Sequence, residues 1–258
     1  MKAGLNLYSL RKLIKTEEMF LETAMALKEM GYSYLQYSGA EFDPERIRRV
    51  SEASGLPVVL THVPYERIIN DTEKLMEEHA VFGCKNIGLG SIPFNLITEW
   101  DTCVAALKDM NRAAETMEKN GFRFFYHNHH KEFMKVDGKT YFERMMDDAP
   151  AINFTLDTYW VQNGGYDLMK LIPRLKGRIA CVHLKDYNVG VNPKDPTSDK
   201  PIPLISPVGD GNMDFVAITE KMKEAGTEYF LVEQDNAVFY PDPLGQVKRS
   251  IDYIKENL

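Results

Sequence analysis

Short apolar runs and longer amphipathic stretches alternate along the whole chain. Each run has five or six mostly apolar residues, which is the usual length of a buried strand. Between the runs, apolar residues recur at helical spacing, as Phe20, Ala24 and Leu27 do in the first stretch. The pattern predicts eight strands, which we place at Ala3–Tyr8, Tyr34–Ser38, Val58–His62, Asn86–Gly90, Phe122–His127, Ile152–Asp157, Ile179–Leu184 and Tyr229–Glu233.

The predicted strands are evenly spaced. Seven intervals separate the strand ends at residues 8 and 233, so one interval averages about 32 residues, the length of one strand–helix unit. Alternating strands and helices predict an α/β fold with a parallel sheet, and eight units favour a single (β/α)8 TIM barrel domain over residues 1–258. A doubly wound open sheet is the alternative, although neither Gly-x-Gly-x-x-Gly after the first strand nor a Walker A sequence is present.

Several helix boundaries carry their own signals. Asp43-Pro44 and Asp242-Pro243 each combine an N-cap acceptor with a proline that is well tolerated at the first helical position. The sequence Thr98-Glu99-Trp100-Asp101 resembles a capping box. We therefore expect helices to begin at these three places.

One segment interrupts the alternation. Residues 185–212 contain five prolines and show neither strand nor helix periodicity. So long an irregular stretch inside a compact domain is usually functional or disordered. Because it follows the seventh predicted strand, we interpret it as a long active-site loop that covers the substrate, with a disordered insert as the alternative.

Charge and cysteine content narrow the class of protein. Lys and Arg number 31 and Asp and Glu number 38, a net charge of 31 − 38 = −7, which disfavours a nucleic-acid partner. The three cysteines are scattered and odd in number, as expected of buried thiols in a reducing compartment. No apolar run reaches the roughly 18 residues of a membrane span, and the N-terminus lacks the apolar core of a signal peptide. We expect a soluble cytoplasmic enzyme without a membrane partner.

Polar, ionisable residues end five of the predicted strands. In a closed barrel the C-terminal strand ends form one mouth, where catalysis occurs in this fold. A single aspartate there usually caps a loop, and a single histidine is usually structural. Four such residues at the ends of four adjacent strands are better explained as ligands of a divalent metal ion such as Mn²⁺, Mg²⁺, Co²⁺, Fe²⁺ or Zn²⁺. The five residues are His62, His127, Asp157, His183 and Glu233.

Two strand ends carry further candidates. His127 and His129 lie on one face of an extended backbone, so both point into the mouth if the fifth strand continues that far. By the same alternation Lys185 shares a side with His183, and it could polarise a carbonyl or neutralise a developing oxyanion. A solvated loop lysine is the alternative. Aromatic residues near the mouth could stack on a sugar or simply pack in the core: Tyr8, Tyr37, Trp160 and Phe239.

The motifs at these strand ends resemble those of the xylose isomerase-like sugar phosphate isomerase/epimerase superfamily, which are single-metal (β/α)8 barrels. The resemblance runs from about Asn6 to the C-terminus, and the order and spacing are those of the subfamily with His-Asn-His on strand five. The matching pieces are Tyr126-His127-Asn128-His129 with Glu132-Phe133, Leu156-Asp157-Thr158-Tyr159-Trp160, His183-Leu184-Lys185-Asp186, Val208-Gly209-Asp210-Gly211 with Asp214-Phe215, and Val232-Glu233.

The resemblance implies one divalent ion, most often Mn²⁺, with Asp157, His183 and Glu233 as three of its ligands. The family usually has a glutamate at the position of His127, so the fourth ligand here is predicted to be His127, with Glu132 as the alternative. Family epimerases shuttle the proton with two glutamates. In this chain Glu233 and Lys185 are therefore catalytic candidates, and His129 or Glu132 would supply a further base. His62, Trp160 and Tyr8 are the expected substrate contacts.

The same superfamily includes a DNA-repair endonuclease with three zinc ions, and His62-Val63-Pro64-Tyr65 resembles it faintly. That enzyme needs a histidine at the end of strand four and another three residues after the strand-six aspartate. Here those places hold Gly88-Leu89-Gly90 and Trp160. The three-zinc cluster therefore cannot be assembled on that pattern.

Isomerases, epimerases and lyases of this kind all remove a proton next to a carbonyl. We predict a metal-dependent isomerase or epimerase that acts on a small sugar or keto-sugar. A lyase or dehydratase acting on a keto-sugar or inosose is the alternative, and a sugar-binding protein without turnover is the alternative from a different class. The particular sugar and its phosphorylation stay open, and a homo-oligomer is compatible with the sequence.

Overall fold

The computed structural model describes residues 1–258 and contains a closed barrel of eight parallel strands. Each strand pairs with its neighbour in the chain, and the first pairs with the last. The TIM-barrel prediction is thereby confirmed, and each strand lies within a residue or two of its predicted bounds. The strands are β1 (Gly4–Asn6), β2 (Tyr34–Tyr37), β3 (Val58–Val63), β4 (Asn86–Leu89), β5 (Arg123–His127), β6 (Asn153–Asp157), β7 (Cys181–Leu184) and β8 (Tyr229–Val232).

Ten α-helices surround the barrel, and none is long and apolar enough to cross a membrane. Asp43 and Asp242 cap their helices as predicted, and each is followed by a proline. The predicted capping box at residues 98–101 is wrong: that helix begins at Trp100 after Glu99, with no side-chain cap. The helices are α1 (Glu17–Met30), α2 (Pro44–Ser54), α3 (Tyr65–Asn70), α4 (Thr72–Val81), α5 (Trp100–Lys119), α6 (Tyr141–Asp148), α7 (Thr158–Asn163), α8 (Leu168–Arg174), α9 (Phe215–Glu224) and α10 (Pro243–Asn257).

The period of two along the strands determines which side chains reach the mouth of the barrel. A small cluster of buried side chains that includes Leu60, Phe125, Cys181 and Leu231 fills the interior. Because alternate residues of a strand face the same side, the positions two residues further on also face inward, one layer nearer the C-terminal end. That layer consists of Asn6, Gln36, His62, Gly90, His127, Asp157, His183 and Glu233.

The segment from 185 to 212 is more ordered than its sequence suggested. It contains two antiparallel strands, Asp186–Gly190 and Ile202–Ser206, which we call the 186–206 hairpin. The prediction of an irregular stretch is therefore wrong for these ten residues. Prolines conceal the second strand in the sequence, but proline is tolerated in a two-stranded ribbon because each strand has one unpaired edge. Residues 191–201 form the tip between the strands.

Asp186 anchors the base of the hairpin. Its buried carboxylate accepts backbone N–H bonds from Tyr187 (2.8 Å), Gly209 (2.9 Å), Gly211 (3.0 Å) and Met213 (3.3 Å). The carboxylate thereby ties the hairpin to the chain that returns from it toward α9.

Asp186→Ala should lower the free energy of unfolding by about 2–4 kcal/mol, because several buried N–H groups lose a charged acceptor at once. It should also make the hairpin sensitive to limited proteolysis. Chemical denaturation measures the first effect and peptide mapping the second. Asp199→Ala, at the exposed tip, is the control and should change neither. A variant at position 186 as stable as the wild type would contradict the anchoring role.

Candidate metal centre

Four buried side chains from adjacent strands converge at the C-terminal end of the barrel. One potential ligand atom of each lies within 4.8 Å of those of the others. The strand register produces this proximity, since Asp157 pairs directly with His183 and the N–H of Glu233 donates to the carbonyl at the end of β7. The group consists of His127, Asp157, His183 and Glu233.

The converging atoms are spaced as the ligands of one cation would be. His183 Nδ1 lies 2.9 Å from Glu233 Oε2 and 3.1 Å from His127 Nε2. Asp157 Oδ2 lies 3.3 Å from His127 Nε2 and 3.6 Å from His183 Nδ1. Ligands about 2.1 Å from a metal ion are about 3.0–3.4 Å apart in octahedral or tetrahedral coordination. The distances between the converging atoms scatter around this range, from 2.9 Å up to 3.8 Å between His127 Nε2 and Glu233 Oε2. The donor set and a spacing close to this range fit one divalent cation.

The other polar atom of each of these side chains is held by a neighbour. Such partners fix the orientation and tautomer of metal-binding side chains. Here they leave one atom of each group directed at the common centre. Asn6 Nδ2 donates to Glu233 Oε1 (2.7 Å), the N–H of Trp160 donates to Asp157 Oδ1 (2.9 Å), His127 Nδ1 contacts the carbonyl of Gly90 (2.9 Å), and His183 Nε2 contacts Gln36 Oε1 (2.7 Å).

Lys185 lies beside the same carboxylate oxygens. Its Nζ is 3.0 Å from Asp157 Oδ2, 2.8 Å from Glu233 Oε2 and 2.9 Å from Asp235 Oδ2. The side chain is completely buried beside these carboxylates, so the structure does not contain a solvated loop lysine at this position. Three carboxylates thus neutralise one buried ammonium group.

Burial and charge act in opposite directions on these groups. Burial favours the neutral form of Lys185, but Asp157, Glu233 and Asp235 outweigh it and raise the pKa of Lys185 well above its usual range. Burial likewise opposes ionisation of Glu233, yet Lys185 and His183 hold its pKa well below the usual range. The carboxylates of the centre are therefore ionised, as metal ligands must be.

A cavity of about 220 Å³ opens onto the centre from the mouth of the barrel. Two of the three expected substrate contacts, Tyr8 and His62, line it, and so does His129. Trp160 is not among the lining residues and packs instead against the rings of His129 and His130, with centroids 5.3 and 5.2 Å away. The further lining residues are Ser38, Gly90, Ser91, His127, Glu233 and Asp235.

Glu132 is placed apart from the four converging side chains. Its buried carboxylate accepts the Tyr126 hydroxyl (2.8 Å) and the N–H of His129 (2.7 Å), an arrangement that closes the turn after β5. Burial raises its pKa. Of the two alternatives for a fourth ligand, the structure brings His127 to the centre and gives Glu132 hydrogen bonds within its own turn.

Sequence reasoning missed three polar residues of the site. Asn6 and Gln36 lie at or next to the ends of the first two strands but carry no charge, so a search for ionisable strand ends does not find them. Asp235 lies two residues after Glu233, and the alternation used for His129 and Lys185 would have placed it on the same side. All three are in contact with a member of the centre or with Lys185.

The model of the xylose isomerase-like TIM-barrel family matches residues 25–257. Because the match spans most of the 258 residues, the chain belongs to this family. The resemblance inferred from the strand-end motifs is thereby confirmed.

Individual relatives are more distant. Inosose dehydratase of Geobacillus kaustophilus (strain HTA426) is 30% identical over 173 residues, which cover 62% of this chain and 54% of that protein. The chain thus spans about half the length of this curated relative.

Solved structures extend the likeness over nearly the whole chain. A sugar phosphate isomerase/epimerase from Parabacteroides distasonis ATCC 8503 has a TM-score of 0.82 and 22% identity, over 98% of this chain and 93% of that chain. A xylose isomerase-like TIM barrel protein from Mycobacterium smegmatis in complex with magnesium has a TM-score of 0.70 and 14% identity, over 99% and 95% of the two chains. At these identities the likeness concerns the fold alone.

Proposed function

We propose that this chain is a divalent-metal-dependent enzyme that removes the proton next to the carbonyl of a keto-sugar, as sugar isomerases and epimerases do. The observation that carries the proposal is the convergence of four buried ligand atoms beside a cavity that two of their residues, His127 and Glu233, line. Mn²⁺ is the preferred ion, and the magnesium complex of the related barrel supports an ion of this class. A cytoplasmic location and a small sugar substrate belong to the same proposal.

When bound, the ion would polarise the carbonyl and spread the negative charge that develops on it. Glu233 is the proposed proton acceptor, because it lines the cavity and its carboxylate is ionised. Lys185 would stabilise a developing oxyanion with its buried ammonium group. Asn6 holds the second oxygen of Glu233 and so fixes the direction in which the carboxylate faces.

His129 is the proposed second proton-transfer group. Its ring lies 4.6 Å from that of His127, and it lines the cavity. Burial, together with the neighbouring His127 and Lys185, lowers the pKa of His129 to about 2, so its imidazole is neutral. Its buried Nδ1 atom has no hydrogen-bond partner within the protein. A pKa this low makes the neutral ring a weak base, so proton transfer through it would depend on the acidity that a bound ion gives the substrate.

Elimination is a second candidate for the overall reaction. In the family's epimerases a pair of glutamates flanks the substrate, and His127 stands in place of one of them. A site with one such glutamate favours removal of one proton followed by loss of a β-substituent. The likeness to inosose dehydratase supports the same outcome.

A panel of ketoses, keto-glycosides and inososes, incubated with the Mn²⁺-loaded chain in D₂O, tests the proposal. The ion is chelated before the spectra are recorded. NMR then separates the outcomes, since an isomerase or epimerase yields an isomer that carries deuterium at the reprotonated carbon and a lyase yields an unsaturated ketone. The proposal is supported if any sugar of the panel is turned over and this turnover stops when Mn²⁺ is chelated. Tight sugar binding without turnover, in a chain that holds no stoichiometric metal, would instead support the non-catalytic binding protein.

The 186–206 hairpin lies beside the mouth, and we propose that its tip covers the bound substrate. Tyr187 packs edge-on against Tyr159 of α7, and Asn236 after β8 donates to the carbonyl of Ile205. The hairpin is thus fixed at its base to both sides of the site, while no residue of it lines the cavity.

Replacing residues 191–200 by a short Gly-Ser link should lower turnover on the order of tenfold or more, because a lid excludes water and completes the site. Thermal unfolding should change little, since these residues are mostly exposed. Steady-state kinetics and calorimetry measure the two effects. Unchanged kinetics in a folded variant would reject the covering role.

A further inference from the structure

Gln36 connects a member of the metal centre to a histidine that lines the cavity. The side chain is completely buried at the end of β2. Its Oε1 lies 2.7 Å from Nε2 of His183, and its Nε2 lies 2.8 Å from Nε2 of His62. One amide group therefore bridges two imidazole rings that belong to different strands.

The role of His183 determines the direction of both hydrogen bonds that link His183, Gln36 and His62. If Nδ1 of His183 faces the ion, that nitrogen carries no proton, and Nε2 must carry it. The Nε2–H group then donates to the amide oxygen of Gln36. The amide NH₂ consequently donates to Nε2 of His62, which accepts and carries no proton. Neutral His62 must therefore hold its proton on Nδ1.

The surroundings of His62 favour the same arrangement. Its Nδ1 lies 3.3 Å from Ser38 Oγ, and both residues line the cavity. The ring also stacks on His127, with centroids 5.3 Å apart.

Two glycines make room for this ring, Gly88 in β4 and Gly90 directly after it. A Cβ atom at position 90 would lie 2.8 Å from Nδ1 of His62, and one at position 88 would lie 3.1 Å from its Cδ2 and 2.5 Å from the carbonyl oxygen of Thr61. Any side chain at Gly90 would displace the ring from the position in which Gln36 reaches it. The absence of side chains at positions 88 and 90 thus leaves space for the His62 ring in this orientation.

We propose that Gln36 is a positioning residue. Through its hydrogen bonds to His183 and His62 it fixes the proton of His62 on Nδ1, so that His62 presents an Nδ1–H donor to a substrate oxygen. His62 then recognises an oxygen of the substrate and does not act as a base. The contact with substrate rests on the proposed function. The tautomer of His62 needs no substrate, because it follows from His183 holding the ion through Nδ1 and from the hydrogen bonds of Gln36.

The first test measures the tautomer of His62 by ¹⁵N NMR on the full chain, labelled in its histidines and loaded with Mg²⁺, which is diamagnetic. The wild type should show the proton on Nδ1. Gln36→Glu replaces the NH₂ donor by a second acceptor, and His62 should then carry its proton on Nε2. A wild-type proton on Nε2, or an unchanged tautomer in folded Gln36→Glu, would overturn the proposal.

The second test measures the affinity for Mg²⁺ by calorimetry. Gln36→Leu removes the acceptor for His183 and should weaken binding by about 10–100-fold, the usual effect of losing such a partner. Gln36→Glu keeps an acceptor and should restore most of the affinity. Equal affinities in all three folded chains would contradict the positioning role, and should Gln36→Leu not fold, the Gln36→Glu measurements decide alone.

Thr61→Val is the matched control. Thr61 is also completely buried, and its hydroxyl bonds Nε2 of His79 at 2.7 Å, but that histidine lies on α4 outside the barrel. The control loses the same kind of hydrogen bond and should alter neither the tautomer of His62 nor the affinity for Mg²⁺. These readouts need no substrate, so a chain that turns over no keto-sugar would refute the proposed function and leave the tautomer result standing.

Discussion

Replacing Asp157 with alanine is expected to abolish stoichiometric binding of Mn²⁺ and, with it, turnover. The carboxylate supplies one of the four converging ligand atoms, and no other acid within the centre can take its place. Loss of an outer partner alone usually weakens binding by about 10–100-fold, so removal of a ligand should exceed that range. Calorimetric titration of the metal-free chain measures the effect.

The alanine variant also loses the N-cap of α7, because Asp157 Oδ1 accepts the N–H of Trp160. Asp157→Asn keeps that acceptor and separates the loss of charge from the loss of the cap. Asp235→Asn is the control, since this carboxylate contacts Lys185 but lies outside the group of four. It should still bind one ion per chain. Full metal occupancy in Asp157→Ala would refute the assignment.

Glu233→Gln should stop proton abstraction, but the structure shows that the single variant also disturbs the centre. Asn6 donates its NH₂ to Glu233 Oε1, and the Asn6 oxygen accepts a hydrogen bond from the N–H of Tyr8. The side-chain amide of Asn6 therefore cannot rotate to exchange its oxygen and nitrogen. A glutamine would therefore direct its oxygen at Asn6 and its NH₂ at the ion. The single variant should lose both metal affinity and activity.

The double variant Asn6→Asp with Glu233→Gln separates the two roles. The new aspartate accepts from the glutamine NH₂ and still accepts from Tyr8, so the glutamine oxygen faces the ion and the net charge is unchanged. We expect metal binding to recover relative to Glu233→Gln. If Glu233 is the proton acceptor, exchange of the α-proton with D₂O should stay about 10²–10⁴-fold below the wild type, the usual contribution of acid–base catalysis. Exchange at the wild-type rate would assign the base to another residue, with His129 the next candidate.

The barrel and the four converging side chains at its mouth were largely predictable, for a simple physical reason. A strand buried on both faces is a short apolar run, so a histidine or acid at its end is conspicuous, as in Asp157 and Glu233. The partners of these groups were not predictable. Gln36 is an uncharged residue in a strand, and only its position two residues after the interior residue Tyr34 indicates that it faces the mouth.

Other features depended on contacts that a local pattern does not contain. The 186–206 hairpin is held by Asp186 and by packing on α7, neither of which leaves a periodic signal in the sequence. Glu132 is a candidate ligand in the sequence because the family usually has a glutamate at the position of His127, and Glu132 lies in the loop that follows. In the fold its carboxylate instead accepts a hydrogen bond from the hydroxyl of Tyr126, six residues earlier. Long-range or side-chain-specific contacts thus decided both outcomes.

Pulsed EPR of the full chain loaded with one equivalent of Mn²⁺ tests the central claim most directly, because it detects nitrogen atoms bound to the ion and needs no substrate. The geometry predicts couplings from two coordinated imidazoles, those of His127 and His183, and the loss of one coupling in His127→Ala. A chain that binds Mn²⁺ without any imidazole coupling, or that binds no Mn²⁺ at stoichiometric level, would contradict the metal centre and the proton-abstraction chemistry built on it.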